Sequence, residues 1–417
     1  MRVRIPSHLA YGSCLGSVQP PALSGTFFVK GTLRLRPGQT AEWLPEGELV
    51  SGDIYVDDNP AGLLRYASDF AVYKPRADVL IVGHGHVPRG KTATGLRVGL
   101  TVGTLTKSLD VFGQHPAQLD YAADKRFESF ALGYDVAFGG PGFARNPLGR
   151  GFDRVTPPLV FAAGGKAEEP VGFGPIPAAW PQRQSLLGSF AGDYMEARWP
   201  WFPADFDWGF FNAAPRDQQI EGYLRGDEEV VLSHLDPDFP MLRSRLPGVR
   251  VRCFVTDRVD GAPRIREPRM QLDTLWIDAA TLTMVLVWRG LLDVQSSKMR
   301  EVEEILVVEE ALKTEQRPHA HHLRAALAAE AEIEEPEEHV APAAAADDDE
   351  QFEAQFAAMD RDFAALEEKA AAAEKELLAT AAEQPEAVAA LKKSAQAPGE
   401  VVADLDAVAK ELEDAAS

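Results

Sequence analysis

Two stretches of the chain alternate apolar and polar residues on either side of a short turn. Residues 96–102 and 107–112 flank Gly103-Thr104, and residues 274–277 and 282–288 flank Asp278-Ala279-Ala280-Thr281. Successive strand side chains point to opposite faces, so each pattern predicts a β-hairpin. Residues 26–35 alternate after a Phe pair and read as a strand. Residues 79–82 form a short β-branched run that stops at Gly83. Residues 159–162, 230–233 and 249–255 carry weaker strand patterns. Residues 303–312 fit two readings. Ile305-Leu306-Val307-Val308 suits a last strand, while Val302, Leu306 and Glu309 have helical spacing. Many short strands divided by Gly/Pro turns predict a mainly β fold of antiparallel sheets, sandwich-like or barrel-like, with long ordered Gly/Pro loops.

Around these strands the composition shifts. Residues 1–24 are rich in Pro, Gly and Ser and read as a loosely ordered lead-in to a β-rich body at 25–312. Residues 113–225 are turn-rich. A compact domain disfavours structureless loops of that length, so aromatics such as Trp180, Trp199, Trp201, Trp208, Phe210 and Phe211 are expected to pack them down. Residues 313–346 form an Ala/Glu/Pro linker that contains His319, His321 and His322. In the tail, 347–417, the period changes. Phe352, Phe356, Met359, Phe363, Leu366, Ala370, Ala373 and Leu377 recur by fours and threes, and Val401, Leu405, Val408 and Leu412 repeat that spacing. This predicts an acidic, amphipathic, α-helical C-terminal tail.

The net charge of −22 over 417 residues is concentrated at one end. From residue 320 onward there are 25 acidic and 7 basic residues, and the first 300 residues balance to zero. A neutral body with an acidic tail argues against nucleic acid, whose phosphates it would repel. Such a chain suits a protein partner with a basic patch. No apolar run is long enough to span a membrane. The two cysteines, Cys14 and Cys253, cannot build a disulfide framework. The N-terminus lacks an apolar segment of the secretory type. The expectation is a cytoplasmic protein.

Candidate chemistry is sparse. His84 and His86 share one face of a short strand in Gly83-His84-Gly85-His86, so both imidazoles can approach one metal ion. The spacing offers no third ligand, and structural histidines are the preferred reading. A dinucleotide site is discarded, because a strand and not a helix follows the glycines. Gly164-Gly165-Lys166 lacks the spacing of a phosphate-binding loop. No Gly-x-Ser-x-Gly elbow is present. Asp205, Asp207, Asp217 and Glu221 can supply paired carboxylates, but their Pro and Trp neighbours favour turn caps. The expectation is no cofactor, no metal and no catalytic residue.

Three Gly/Pro-dense runs remain. The longest is Phe138-Gly139-Gly140-Pro141-Gly142-Phe143-Ala144-Arg145-Asn146-Pro147-Leu148-Gly149-Arg150-Gly151. The others are Gly172-Phe173-Gly174-Pro175-Ile176-Pro177 and Phe210-Phe211-Asn212-Ala213-Ala214-Pro215-Arg216-Asp217-Gln218-Gln219. Glycine and proline at this density specify a loop by backbone geometry. In the first run Asn146 is expected to cap a turn, with Arg145 and Arg150 paired to carboxylates of the body. The alternative is that these arginines rim a surface that receives a partner.

With Phe28-Val29-Lys30-Gly31-Thr32, Leu64-Arg65-Tyr66-Ala67-Ser68-Asp69-Phe70, Lys74-Pro75 and residues 78–86, these runs resemble the type VI secretion effector-adaptor family (domain of unknown function 2169), encoded beside PAAR tip proteins. The resemblance spans roughly residues 20–295. It implies that His84, His86, Gly139, Gly140, Asn146, Pro147, Gly149, Gly151, Gly172, Gly174, Asn212, Pro215, Asp217 and Gln218 are family-motif residues. It also implies a non-enzymatic adaptor or chaperone for a toxin effector, a PAAR tip or a spike protein. Two alternatives stand beside it, a metal-dependent hydrolase built on His84 and His86 and a structural component of a secretion-like particle. Candidate partner-binding residues are Arg145 and Arg150 in the body, with Phe352, Phe356, Met359, Phe363 and Leu366 in the tail.

Overall fold

The computed structural model describes residues 1–312, apart from 18–21, 115–124, 166–167, 191, 193, 195–200, 260–261 and 297–298. The chain divides into two units, Met1–Glu334 and Glu335–Ser417, and all described residues lie in the first. The expected helical tail and the histidines of the linker lie outside the described residues.

The described body is mainly β. Its largest sheet runs, edge to edge, through Gln219–Ile220, Ala77–Val82, Gln271–Asp278, Thr283–Val294, Leu23–Arg34 and Leu9–Leu15, with Glu42–Trp43 added beside Leu23–Arg34. All its pairings are antiparallel except that of Ala77–Val82 with Gln271–Asp278. Met284 to Gly290 are all buried, as are Ala77 to Ile81. Such unbroken burial means that both faces of these central strands are covered. Phe28, Tyr66, Leu80, Ala214, Trp276, Val285 and Val287 form one buried cluster on this sheet.

A second sheet orders Val160–Ala162, Leu105–Phe112, Gly95–Val102, Glu229–Ser233 and Met241–Arg245. A third orders Arg2–Arg4, Val302–Ala311, Val249–Val259 and Ala262–Arg266. Both hairpins read from the sequence are present, the first with Val102 opposite Leu105 and the second with Asp278 opposite Thr283. The ambiguous segment is a strand. Ile305 and Val307 pair with Val255 and Cys253, which are also buried.

The lead-in departs from expectation. Leu9–Leu15 is an edge strand of the largest sheet, in register with Leu23–Arg34 from Leu9–Gly31 to Leu15–Gly25. Its small residues have a packing reason, since a Cβ on Gly12 would collide with the Phe28 ring. Glycine in a strand often marks such a close approach. The described part of the turn-rich stretch is packed down as expected, and Trp199 lies outside the described residues. Phe202, Phe206, Trp208, Phe210 and Phe211 form a ring cluster with centroids 4.4–6.1 Å apart.

Candidate functional site

The longest motif run folds around one amide. Asn146 is fully buried. Its Nδ2 donates to the carbonyl oxygens of Tyr134 at 2.8 Å and Phe138 at 3.0 Å. Its Oδ1 has no partner among the described residues. Gly139, at φ +154°, lies so close that a Cβ would overlap the Asn146 carbonyl oxygen. Gly149 does not have positive φ, and its constraint is space. A Cβ there would meet Asn146 Nδ2 and, at 2.6 Å, the Ala137 oxygen. Phe138–Gly139 pairs in parallel with Arg150–Gly151, which closes the loop. Pro147 is half-buried beside the amide.

The expected roles of this run change in two respects. Asn146 does more than cap a turn, because it pins two carbonyls from the preceding chain. Arg150 Nε reaches the backbone oxygen of Asp135 at 3.0 Å, where a carboxylate was expected. Arg145 is exposed, and its backbone oxygen accepts from Gln182.

The other two runs converge on the Ala77–Val82 strand. Asp78 is fully buried. Its carboxylate accepts from Lys74 Nζ (2.8 Å), Asn212 Nδ2 (2.8 Å) and the Ala213 backbone N–H (2.9 Å). Asn212 also donates to the Arg76 oxygen at 2.9 Å. Pro215 precedes a short turn of 3-10 helix that sets Gln218 against the same strand. Gln218 Nε2 donates to the oxygens of Val79 (2.7 Å) and Phe173 (2.9 Å). Gln218 Oε1 accepts from Lys107 Nζ at 2.8 Å, and Lys107 also reaches the Gly172 oxygen and Asp217. Gly172 leaves room for the Tyr134 ring, and the Gly174 oxygen accepts from the Tyr134 hydroxyl. Burial pushes the Lys107 ammonium below the ordinary lysine range, and Asp217 opposes that shift.

Sequence reasoning missed Lys107, Asp273, Thr274 and Arg289 as partners in this arrangement. A charged residue inside an otherwise apolar strand was the available signal. Asp273 is the extra residue of a β-bulge, between the Leu272–Trp288 and Thr274–Val287 pairs. It accepts from Arg289 Nε at 2.7 Å and from the Thr274 hydroxyl at 2.8 Å. Thr274 in turn accepts from Lys74. Arg289 forks onto the oxygens of Asp69 and Ala71, and its guanidinium lies over the Phe28 ring. Asp69 accepts from Lys30 Nζ and the Tyr66 hydroxyl. Burial, then the Asp69 charge, pushes the Tyr66 phenol well up.

These charges enclose a cavity of about 10 Å³ lined by Tyr66, Asp69, Lys74, Thr274 and Arg289. That is about the room of one water molecule. The cations and carboxylates named here are matched to one another, and the network ties strands of the two larger sheets to the loops that carry the motif runs. A groove of about 260 Å³ lies on the third sheet beside Arg250, Arg252, Glu267 and Met270. Arg250 is engaged by Glu310 and Arg252 by Glu267.

His84 is exposed and His86 half-buried, with ring centroids 6.2 Å apart, on a strand paired with Ser129–Ala131. The His86 backbone N–H donates to the His234 oxygen at 2.8 Å. Burial, then the His84 ring, pushes the His86 imidazole down, and Asp236 opposes this. His234 sits at φ +54°, and its Nδ1 has no hydrogen-bond partner among the described residues. Among the described residues no three His, Cys, Asp or Glu side chains are grouped to hold a metal ion. The four candidate carboxylates are dispersed. Asp205 binds Ser189, Asp207 caps Gly209, Asp217 meets Lys107, and Glu221 meets Arg76. Phe352, Phe356, Met359, Phe363 and Leu366 lie outside the described residues.

No curated protein and no solved structure matches the chain. One family model, described as an uncharacterized protein conserved in bacteria (DUF2169), matches residues 23–289. The match opens at the start of the Leu23–Arg34 strand and closes on Arg289, so it takes in the motif loops and the buried charge network. It covers well over half of the 417 residues, and the chain therefore belongs to the bacterial DUF2169 family.

Proposed function

We propose that the chain is a non-enzymatic adaptor that holds a protein, a type VI secretion effector or its PAAR-bearing part, and helps seat it on the secretion spike. The observation that carries this reading is how the motif residues are used. Asn146, Asp78, Asn212 and Gln218 spend their hydrogen bonds on the body's own backbone and side chains. Their joint effect is a rigid body with fixed loops. Rigid, shape-complementary surface is what protein binding needs, because ordering a loop on association costs affinity. The resemblance of the motifs supplies the kind of partner.

The test is co-expression of the full chain with each protein encoded next to it. Stoichiometric co-elution with a toxin or a PAAR-bearing protein supports the reading, as does loss of that protein's export when the chain is deleted. Export that continues unchanged without the chain, together with no co-elution, overturns it.

A further inference from the structure

We propose that the loop of residues 138–156 is a preformed docking surface for an acidic, apolar segment of a partner protein; this deepens the adaptor reading and rests on it. Three independent features of the loop point the same way.

The first is rigidity. Gly140 N–H donates to the Asn146 oxygen, Phe143 to Gly140, Asn146 to Phe143, Phe152 to Gly139 and Arg154 to Gly151, all at 2.9–3.1 Å. Together with the Asn146 amide, these bonds fix the backbone before any partner arrives.

The second is an apolar ladder that leads outward. The rings of Phe138 and Phe143 lie 5.4 Å apart, and those of Phe143 and Phe152 lie 5.2 Å apart. Phe138 is buried, whereas Phe152 is 49% exposed and Val155 beside it is 75% exposed. An aromatic anchored from below and open above is typical of a binding hot spot.

The third is charge. Residues 141–156 carry Arg145, Arg150 and Arg154 against one carboxylate, Asp153. Asp153 Oδ1 already accepts from the Val155 backbone N–H at 3.0 Å. Several exposed arginines elsewhere on this body rest on carboxylates, as in Arg36–Glu42, Arg89–Asp238, Arg243–Glu229 and Arg258–Glu303. None of the three loop arginines has a carboxylate partner among the described residues. Arg154 also sits at φ +60°, a conformation that a side chain other than glycine adopts rarely and that recurs at functional positions. Arginine beside an open aromatic fits a carboxylate-bearing segment with apolar side chains. A nucleic acid is the weaker fit, because the body is otherwise neutral and the chain as a whole carries −22.

The test uses the full chain and three fluorescein-labelled probes. These are a synthetic peptide of Glu, Asp, Leu and Phe, its charge-reversed counterpart with Lys, and a single-stranded oligonucleotide. Anisotropy is expected to rise with the acidic peptide alone and to fall back as salt is raised. Phe152→Ser and the double variant Arg145→Glu/Arg154→Glu are each expected to weaken that binding by roughly tenfold or more. The arginine variant changes exposed side chains and should leave the thermal melt in place, while Phe152→Ser also gives up the ring contact with Phe143 and should lower the melt without unfolding the body. No binding of the acidic peptide, equal binding of the charge-reversed one, preference for the oligonucleotide, or unchanged affinity in the folded variants overturns the proposal. If the loop variants still capture a co-encoded partner, the adaptor reading stands and this surface is wrong.

Discussion

Gly139 and Asn146 are in such close contact that the first can carry no side chain, because a Cβ would overlap the carbonyl oxygen of the second. The longest motif run therefore depends on a missing atom as much as on the amide it surrounds. Gly139→Ala is expected to destabilise the protein by about 1–3 kcal/mol through overpacking. A Cβ on Gly140 would make only ordinary van der Waals contacts, the nearest with Phe152 Cβ at 3.4 Å. Gly140→Ala should cost roughly 1 kcal/mol, from its positive φ alone. Arg145→Ala should be close to neutral. Urea denaturation of the three variants gives this order, and equal effects would show the loop to be loose.

Asp78 makes a second test. Among the described residues its carboxylate is the only anion bonded to Lys74, and it also accepts from Asn212 and the Ala213 N–H. Asp78→Ala would leave a buried ammonium unpaired, an effect of about 3–5 kcal/mol. Asn212→Ala removes one neutral donor and should cost about 1–2 kcal/mol. A loss of similar size in both variants would mean that Lys74 finds another partner or a water.

Parts of this arrangement are legible in the sequence and parts are not, for physical reasons. The hairpins closing at Gly103-Thr104 and Asp278–Thr281 show because alternation and turn chemistry are local. Leu9–Leu15 was hidden because Gly12 and Ser13 read as loop residues, while the reason for Gly12 is the Phe28 ring across the sheet. The strand at Val302–Ala311 becomes certain only once Cys253 and Val255 stand opposite it. In the candidate site, the motif residues could be singled out but their roles could not. Asn212 meets Asp78 across 134 residues of chain, and the Asp273 bulge has no signature in composition or period.

Arg289 tests whether the network needs a fork or only a charge. Its Nε meets Asp273, while its Nη1 donates to both the Asp69 and Ala71 oxygens. A lysine is a point charge and cannot span both directions. Arg289→Lys is therefore expected to lose about 2–3 kcal/mol in chemical denaturation, although the net charge is kept. A variant as stable as the wild type would show that the carbonyl contacts are dispensable.

The histidines set the response to acid. Burial lowers the His86 and His234 imidazoles below the ordinary value of 6.5, so the folded protein binds their protons less readily than the unfolded chain does. Where the unfolded state holds more protons, stability rises with pH. Stability is thus expected to be full above about pH 6.5 and to fall as pH drops from there toward the lowered folded-state values. Below those values the penalty is complete and this contribution stops changing, although carboxylates such as the buried Asp257, held low by hydrogen bonds from Arg264, take over at stronger acid. His86→Gln keeps a polar side chain and removes one titration. It should flatten the slope between mildly acidic and neutral pH without altering the strong-acid limb. Melting temperatures recorded across that range for the wild type and the variant decide it, and an identical slope would show that neither burial nor the neighbouring His84 ring disfavours the charged His86.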